Sequence, residues 1–407
     1  MTTQVSPAAS RIAAGPSAEM IVSSARKLAE ELRSRGREIE QARRVPADLI
    51  ERAKADGIFR IIQPARYGGY ELGWSTLLRA SMELAQGDGS SAWCIGLSAA
   101  HNWIVGLYPR EAQDEVWEDP DNIVAGSYMP VGKCRPVKGG YFLSGSWSFA
   151  SNCENCAWYI VGAMTPPQKE GGAPIPGWFL VPASAARIED TWFTSGLAGT
   201  GSKTIVVDAE IFVPAHRVLT VLQVNSGAAP GSEVNPSPLF RLTFTGTAPA
   251  LLAGLATGMA KRAPVELAAT ARTKMMMRPG GPPVPMKESA AIQEAVAGSS
   301  AKSDAAALIL LNIYDQIEVG LARGELPTMD QRIGHRRDHG YAARLACEAV
   351  NDVFSVLGAS AGNLSDPIQR IWRDVNLATR HISLNWESTM SVYGQHQLGL
   401  PATAAAF

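Results

Sequence analysis

The stretch Gly140-Tyr-Phe-Leu-Ser-Gly-Ser-Trp-Ser-Phe-Ala-Ser-Asn152 decides how this chain folds. Aromatic and apolar residues are interleaved there with Gly and Ser, the texture of a strand that covers one face and leaves the other open. Runs of the same kind surround it: Ile123 to Ser127, Tyr141 to Phe149 within the stretch itself, Trp158 to Ala163, Trp178 to Val181 and Thr204 to Phe212. No insertion of helix length separates them, so a compact β-barrel or sandwich is predicted for the middle of the chain.

Outward from this centre the pattern turns helical on both sides. Pro46 and Gly57 are a start and stop pair, Ser75 can cap the next helix, and Ser91 to Leu107 is apolar nearly throughout, with Trp93 and Trp103 inside it. Beyond the strands, residues 223–238 are rich in Gly, Pro, Ser and Asn and read as a linker. Leu310, Ile313, Tyr314, Ile317 and Leu321 then follow helical spacing, as do Val350, Val353, Phe354 and Leu357. Pro279 to Pro285 interrupts the first pair of long helices, and the remaining length suits a four-helix bundle. The predicted organisation is α+β: a mobile end over 1–17, a helical domain over 18–121, a β-domain over 122–222, the linker, and a bundle over 239–407.

Composition limits the function. With 407 residues, 46% hydrophobic and 18% charged, the chain is long and apolar enough for a large core. A net charge of −1 argues against general affinity for nucleic acid or anionic membrane. No apolar stretch reaches the roughly 18 residues that a membrane span needs. The five cysteines are an odd set that suggests reduced thiols and a cytoplasmic location. Cys153 and Cys156 form a C-x-x-C with no second ligand pair, and read as ordinary thiols rather than a zinc or redox site. The run from His335 through Arg336, Arg337 and Asp338 to His339 also lacks ligand support and reads as a solvated charged face. No metal is expected. Trp93, Trp103, Trp147, Trp192 and Met275 to Met277 suit either pocket walls or plain core.

The order helices, strands, helices resembles the acyl-CoA dehydrogenase superfamily, and three motifs carry the resemblance. The 140–152 stretch looks like the superfamily's hairpin leading to the flavin, where an aromatic packs on the isoalloxazine and a hydroxyl two residues later reaches N5. Phe149 and Ser151 fall on those positions. Gly196-Leu-Ala-Gly-Thr-Gly-Ser-Lys203 with the downstream Val213-Pro-Ala-His-Arg217 resembles a second motif, and Arg373-Asp374 a third. In the dehydrogenases a catalytic Glu commonly lies eight residues beyond that Asp. Here the position is Ile382, preceded by His381, and Glu387 is displaced by five residues. A His at this place, with Gly89 to Trp93, Ala100 to Trp103, Gly126-Ser127 and Gly394, resembles instead the flavin-dependent hydroxylases of the same fold.

That resemblance implies the oxygenase component of a two-component monooxygenase. Its cofactor would be reduced FAD or FMN, its co-substrate O2, and its partner a separate NAD(P)H:flavin reductase. A flavin C4a-hydroperoxide would pass oxygen to a small phenolic or indolic substrate, in a homotetramer. The implied catalytic residues are His381, Ser151, His101 and Ser127. Ser151 would retard loss of the N5 proton, and His381 would donate to the peroxide and move protons near neutral pH. His101 and Ser127 would face the substrate. The implied flavin contacts are Phe149, Ser151, Asn152, Gly199, Thr200, Ser202 and, at a phosphate, Arg272. The rival readings are amine or amino-sugar N-oxygenation, an acyl-CoA dehydrogenase using Glu387, and a flavin-free scaffold.

Overall fold

The computed structural model describes residues 15–167, 171–278 and 280–401, so most of the stretch expected to be mobile, 1–14, lies outside the described residues. Helix α1 (Ala18–Ala42) starts where the Ser17 hydroxyl accepts the Met20 N–H at 3.2 Å, a side-chain N-cap. Helices α2 (Ala47–Ala55), α3 (Trp74–Gly87), α4 (Gly89–Val105) and α5 (Arg110–Val116) follow. Asp88 caps α4 by accepting the Ser91 N–H at 2.8 Å. Every residue of α4 except Leu97 is buried, so this helix is the central post against which the other parts pack.

The predicted strands are all present, extended at their ends, and two short ones join them. They are β1 (Val124–Val137), β2 (Gly140–Ala150), β3 (Trp158–Thr165), β4 (Ile175–Pro182), β5 (Arg187–Glu189), β6 (Lys203–Pro214) and β7 (Val218–Thr220). One sheet holds them in the order β5-β6-β2-β1-β3-β4-β7. The first half of β1 pairs parallel with β3 and the second half antiparallel with β2, and the β1–β3 register breaks between Ser127 and Gly132. The sheet bends at that break. Trp147 fills the bend, donating from Nε1 to the Gly162 carbonyl at 2.7 Å. A Cβ on Gly132 would stand 2.4 Å from the Trp147 ring, so only glycine fits there. The edge strands β5 and β7 do not pair with each other, so hydrogen bonding leaves the barrel-like sheet open.

The Gly- and Pro-rich segment after β7 is no free linker. It holds α6 (Val221–Val224) and two 3-10 turns. The Gly231 N–H donates to Leu107 O and the Asn235 side chain donates to Gly106 O, both at 2.8 Å. Turn-forming composition describes a loop equally well whether it hangs free or is strapped down, so it carries no sign of these bonds.

The C-terminal part has three long helices, α7 (Phe244–Thr273), α8 (Ala290–Ala322) and α9 (Met329–Ser355), then the shorter α10 (Pro367–Ala378) and α11 (Trp386–Gln397). His381 lies in the turn between α10 and α11. Between α7 and α8 a hairpin, β8 (Met275–Arg278) with β9 (Gly281–Pro285), replaces the simple break expected from the prolines. Met275 and Met277 are exposed on it, and so form neither pocket wall nor core. By length and composition alone α8 is long and apolar enough to cross a membrane, which corrects the expectation that no apolar stretch reaches that length. In the fold it packs beside α7 and α9, with Leu308 and Val319 left exposed.

Candidate active site

The site forms where α4, the bend of β1, the end of β2 and the turn before α11 meet. His101 sits on α4, 5% exposed, with Nδ1 2.7 Å from the Val124 carbonyl at the start of β1. A carbonyl can only accept, so Nδ1 carries the proton and Nε2 keeps its lone pair. Burial lowers the His101 pKa to about 4, partly offset by that hydrogen bond, so the ring is a neutral acceptor at pH 7. Its edge meets Tyr128 at 5.8 Å between ring centroids. Tyr128 in turn packs on Trp178 at 4.5 Å and Phe244 at 5.6 Å. The Tyr128 hydroxyl is buried and has no hydrogen-bond partner. A Cβ on Gly126 would lie 2.7 Å from the Tyr128 oxygen and 3.2 Å from His101 Nε2, so the missing side chain leaves both polar atoms facing one small space. Ser127 Oγ donates to the Ser148 carbonyl at 2.7 Å. Its proton is therefore committed to pairing β1 with β2, and only its lone pairs remain to offer.

At the end of β2 a directed chain of hydroxyls runs through Ser151. Thr200 Oγ1 donates to the Leu197 carbonyl at 2.8 Å, which leaves Ser202 as the donor across its 2.7 Å contact with Thr200. Ser151 is then the donor across its 2.8 Å contact with Ser202, and it accepts from Trp93 Nε1 at 3.2 Å. Every proton in this chain is committed, and Ser151 Oγ retains a lone pair for an external N–H. Phe149 stands beside it at φ 66°, a strained conformation for a bulky residue, with its ring 71% exposed and edge-on to Trp192 at 5.9 Å. An uncovered aromatic face bordered by oriented hydroxyls fits a planar ring with a polar edge, and so fits a flavin.

His381 closes the opposite side, its ring 6.1 Å from Trp93. It caps the turn that follows, Nδ1 accepting from the Ser383 N–H at 3.2 Å, which leaves the neutral ring's proton on Nε2. By surface area His381 is exposed, yet enough protein surrounds it to lower its pKa to about 4. Burial is the larger cause and the Arg336 charge the smaller. A ring lining the mouth of a narrow cleft satisfies both observations. The expectation of a histidine titrating near neutrality is thereby corrected: His381 is a neutral N–H donor at pH 7.

Other expected residues have different duties. The Asn152 amide donates to Ser98 Oγ at 3.1 Å while its oxygen accepts from Asn155 at 2.9 Å, so it ties β2 to α4. The Cβ direction of Gly199 points into Ile39 and Ser90, so close packing of the loop on α1 and α4 explains that glycine. Arg272 is exposed in the last turn of α7, 28 residues or ~40 Å of helix beyond Phe244, and is not brought to this cluster. Arg373-Asp374 is a clamp on the 195–197 loop. Arg373 donates to the Ser195 carbonyl and pairs with Glu40 at 2.5 Å, while Asp374 accepts the Leu197 N–H at 2.6 Å. Burial raises the Asp374 pKa to about 7. Glu387 is exposed on the first turn of α11, where it cannot serve as a shielded base. Cys153 and Cys156 are free thiols in a 3-10 turn rather than a strand. Burial pushes the Cys153 thiol up to about 12 and that of Cys156 higher still, the signature of inert packing groups. The largest correction concerns His335 and His339, which are buried on the inner face of α9 rather than solvated.

Sequence reasoning missed Tyr128, Phe244 and the α9 residues. An aromatic after Gly126-Ser127, or a His four residues after another on a polar helix, carries no signal of what it will face.

Comparison with known proteins agrees with this geometry. The chain matches the acyl-CoA dehydrogenase N-terminal domain over residues 15–118 and the acyl-CoA dehydrogenase C-terminal domain over 250–386. It is 39% identical to an FADH(2)-dependent resorcinol hydroxylase, oxygenase component, from a Rhizobium species, over 92% of each chain. It is 31% identical to the flavin-dependent monooxygenase, oxygenase subunit HsaA, of Mycobacterium tuberculosis, over 94% of this chain and 96% of the other. The crystal structure of 3-HSA hydroxylase from Rhodococcus sp. RHA1 superposes with a TM-score of 0.89 at 30% identity, covering 95% of this chain and 99% of that one. Relatives at 30% identity or more cover over 90% of this chain, and Ile382 stands where the dehydrogenases carry their Glu: this chain belongs to the flavin-dependent monooxygenases built on the acyl-CoA dehydrogenase fold, as an oxygenase component.

Proposed function

We propose that the protein hydroxylates a small phenolic ring, using reduced flavin delivered by a separate NAD(P)H-dependent reductase and O2. The observation that carries this reading is that His101 Nε2 and the unpartnered Tyr128 hydroxyl both lie beside Gly126. Two polar atoms in an otherwise aromatic chamber suit a flat ring bearing a hydroxyl group. Relatives named as resorcinol hydroxylase, p-hydroxyphenylacetate 3-hydroxylase and indole-3-acetate monooxygenase support an aromatic substrate.

The flavin, when bound, supplies the electrons with which one atom of O2 enters the ring. Phe149 would carry one face of it, and Ser151 Oγ would accept an N–H at its polar edge. The residues of the chain do the rest. His101 Nε2 takes the proton of the substrate hydroxyl as the ring is attacked, which raises electron density at the carbon to be oxidised. Its Nδ1–H bond to Val124 holds it in the tautomer this needs. His381 Nε2–H donates where negative charge develops on the transferred oxygen. Trp93, Trp178 and Phe244 exclude the water that would divert the reaction to hydrogen peroxide.

Closed association of several copies through the helical bundle would cover the exposed Leu308 and Val319 on α8, and we propose a homotetramer. Five unpaired thiols favour a reducing, cytoplasmic setting. Turnover tests the function: purified protein with a generic flavin reductase, NADH and resorcinol should form a trihydroxybenzene. The protein alone should oxidise no NADH. Robust NADH oxidation by the chain alone, or no product from any phenol, would refute the reading.

A further inference from the structure

Helix α9 turns four nitrogen-bearing side chains inward, at spacings of three, one and three residues: Arg332, His335, Arg336 and His339. His339 is wholly buried, and neither of its ring nitrogens has a partner. His335 is 6% exposed, with Nδ1 buried and unpartnered. The Nε atoms of Arg332 and Arg336 are likewise buried without partners. Among the described residues Arg336 forms no hydrogen bond and no ion pair, and Arg332 makes only a 3.4 Å contact with Thr245 Oγ1. The acids of the same helix are engaged elsewhere, Asp330 with His396 at 3.0 Å and Asp338 with Arg337 at 2.6 Å. Burial is the one influence on either guanidinium, and it pushes both pKa values down, with no neighbouring anion to oppose it. Arg332 and Arg336 are half-buried, and drawing a guanidinium partly out of water with no anion beside it is costly, so this face is suited to receive an anion from outside.

This face adjoins the aromatic cluster already described. Arg332 lies against the first turn of α7, its Nε 3.7 Å from where a Cβ on Gly246 would be. Phe244, two residues before, packs on Trp178 at 4.8 Å and on Tyr128. Arg336 is near enough to His381 for its charge to act on that ring. The α9 face therefore lies between the Phe244 cluster, which the proposed function assigns to the substrate, and His381.

We propose that Arg332 and Arg336, with His335 and His339 beside them, form an anion subsite that holds a carboxylate on the aromatic substrate. The planar fork of a guanidinium matches a carboxylate, and an imidazole N–H can add to it. A phosphate of the flavin is the other source of an anion. The position argues for the substrate, since this face adjoins the cluster of Tyr128 and Phe244 rather than that of Phe149 and Trp192. The inference rests on the substrate chamber of the proposed function and names the substrate more closely: a hydroxylated aromatic acid in preference to a neutral phenol.

Binding without turnover tests it. Affinities of resorcinol and 2,4-dihydroxybenzoate would be measured by calorimetry on the wild type, Arg336→Gln and Arg336→Lys, beside riboflavin and FMN. The wild type should bind the carboxylated ring at least tenfold more tightly than resorcinol. Arg336→Gln should erase most of that ratio, while Arg336→Lys, which keeps the charge and loses the fork, should keep part of it. Equal affinity of the wild type for the two rings overturns the proposal, as does a ratio that survives in Arg336→Gln. Loss of discrimination between FMN and riboflavin in Arg336→Gln, with the carboxylate ratio intact, assigns the anion to the flavin and also overturns it. If Arg336→Gln does not fold by circular dichroism, the lysine variant decides: a ratio undiminished from the wild type refutes the bidentate site. Wild-type turnover of resorcinol keeps the two questions apart, because hydroxylation without a carboxylate preference sinks this inference and leaves the function standing.

Discussion

His101→Asn separates the chemistry of His101 from its structural role. The asparagine amide can reach where Nδ1 now donates to Val124, so the 2.7 Å bond survives in kind and no buried carbonyl is orphaned. The loss of ring volume in a site beside a chamber should cost about 1 kcal/mol of stability. What disappears is the Nε2 lone pair facing the gap at Gly126. A positioned general base contributes typically about 10²- to 10⁴-fold, so kcat on a phenol near pH 7 should fall by that factor with a much smaller change in KM. The pH dependence is diagnostic. With a pKa of about 4, His101 is already neutral above pH 5, so the wild-type rate should be flat from about pH 5.5 to 8, with no break near 6.5, and should decline as pH falls toward 4. In the variant the rate should climb toward pH 10 as the free phenol ionises by itself. The assay is product formation with saturating reduced flavin, followed by chromatography across that range. A variant with wild-type kcat and a flat profile up to pH 10 would show that His101 is a packing residue.

Three further outcomes follow from the same geometry. His381→Ala should leave the fold intact but divert reducing equivalents, with product falling and hydrogen peroxide rising by on the order of 10²-fold in their ratio; unchanged coupling would make His381 a cap residue only. Gly126→Ala should impair binding of the ring, because the new methyl would sit 2.7 Å from the Tyr128 oxygen, and a KM within twofold of wild type would show that the gap is unused. Asp374 has its pKa raised to about 7, so the fold favours its protonated form; its stabilising contribution is complete below about pH 4 and is lost as pH rises to about 7. Asp374→Asn, which keeps an acceptor for Leu197, should therefore flatten the decline in thermal stability over that window, and an identical slope would place the titration elsewhere.

Much of this was legible in the sequence because it depends on local pattern. Strand texture around Gly140 to Asn152 located the sheet, and the register of Phe149 and Ser151 placed an aromatic and a hydroxyl together, as the structure does. The absence of a carboxylate at Ile382 removed the dehydrogenase chemistry, and exposed Glu387 agrees with that. What was not legible depends on contacts far apart in sequence. Burial by distant elements moves His381 and His101 to about 4, and no run of neighbours reveals it. The bonds that tie Asn152 to Ser98 and Asn155 likewise join residues far apart or in different elements, and a local pattern does not show them. His335 and His339 read as surface because α9 is charged along its length, and only its packing against α7 shows which face turns inward. Tyr128 is the sharpest case, since an unpartnered hydroxyl is a property of surroundings and not of sequence.

The central claim is that this chain inserts one atom of O2 into a phenol with electrons from flavin it does not reduce itself. The most direct measurement mixes the protein with photoreduced flavin and resorcinol under ¹⁸O2, with no nicotinamide present, and weighs the product by mass spectrometry. The expected result is a trihydroxybenzene carrying a single ¹⁸O atom, in near one-to-one ratio to flavin oxidised when protein exceeds flavin. Unlabelled product, or flavin oxidation that yields hydrogen peroxide alone whichever phenol or hydroxybenzoate is supplied, would contradict it.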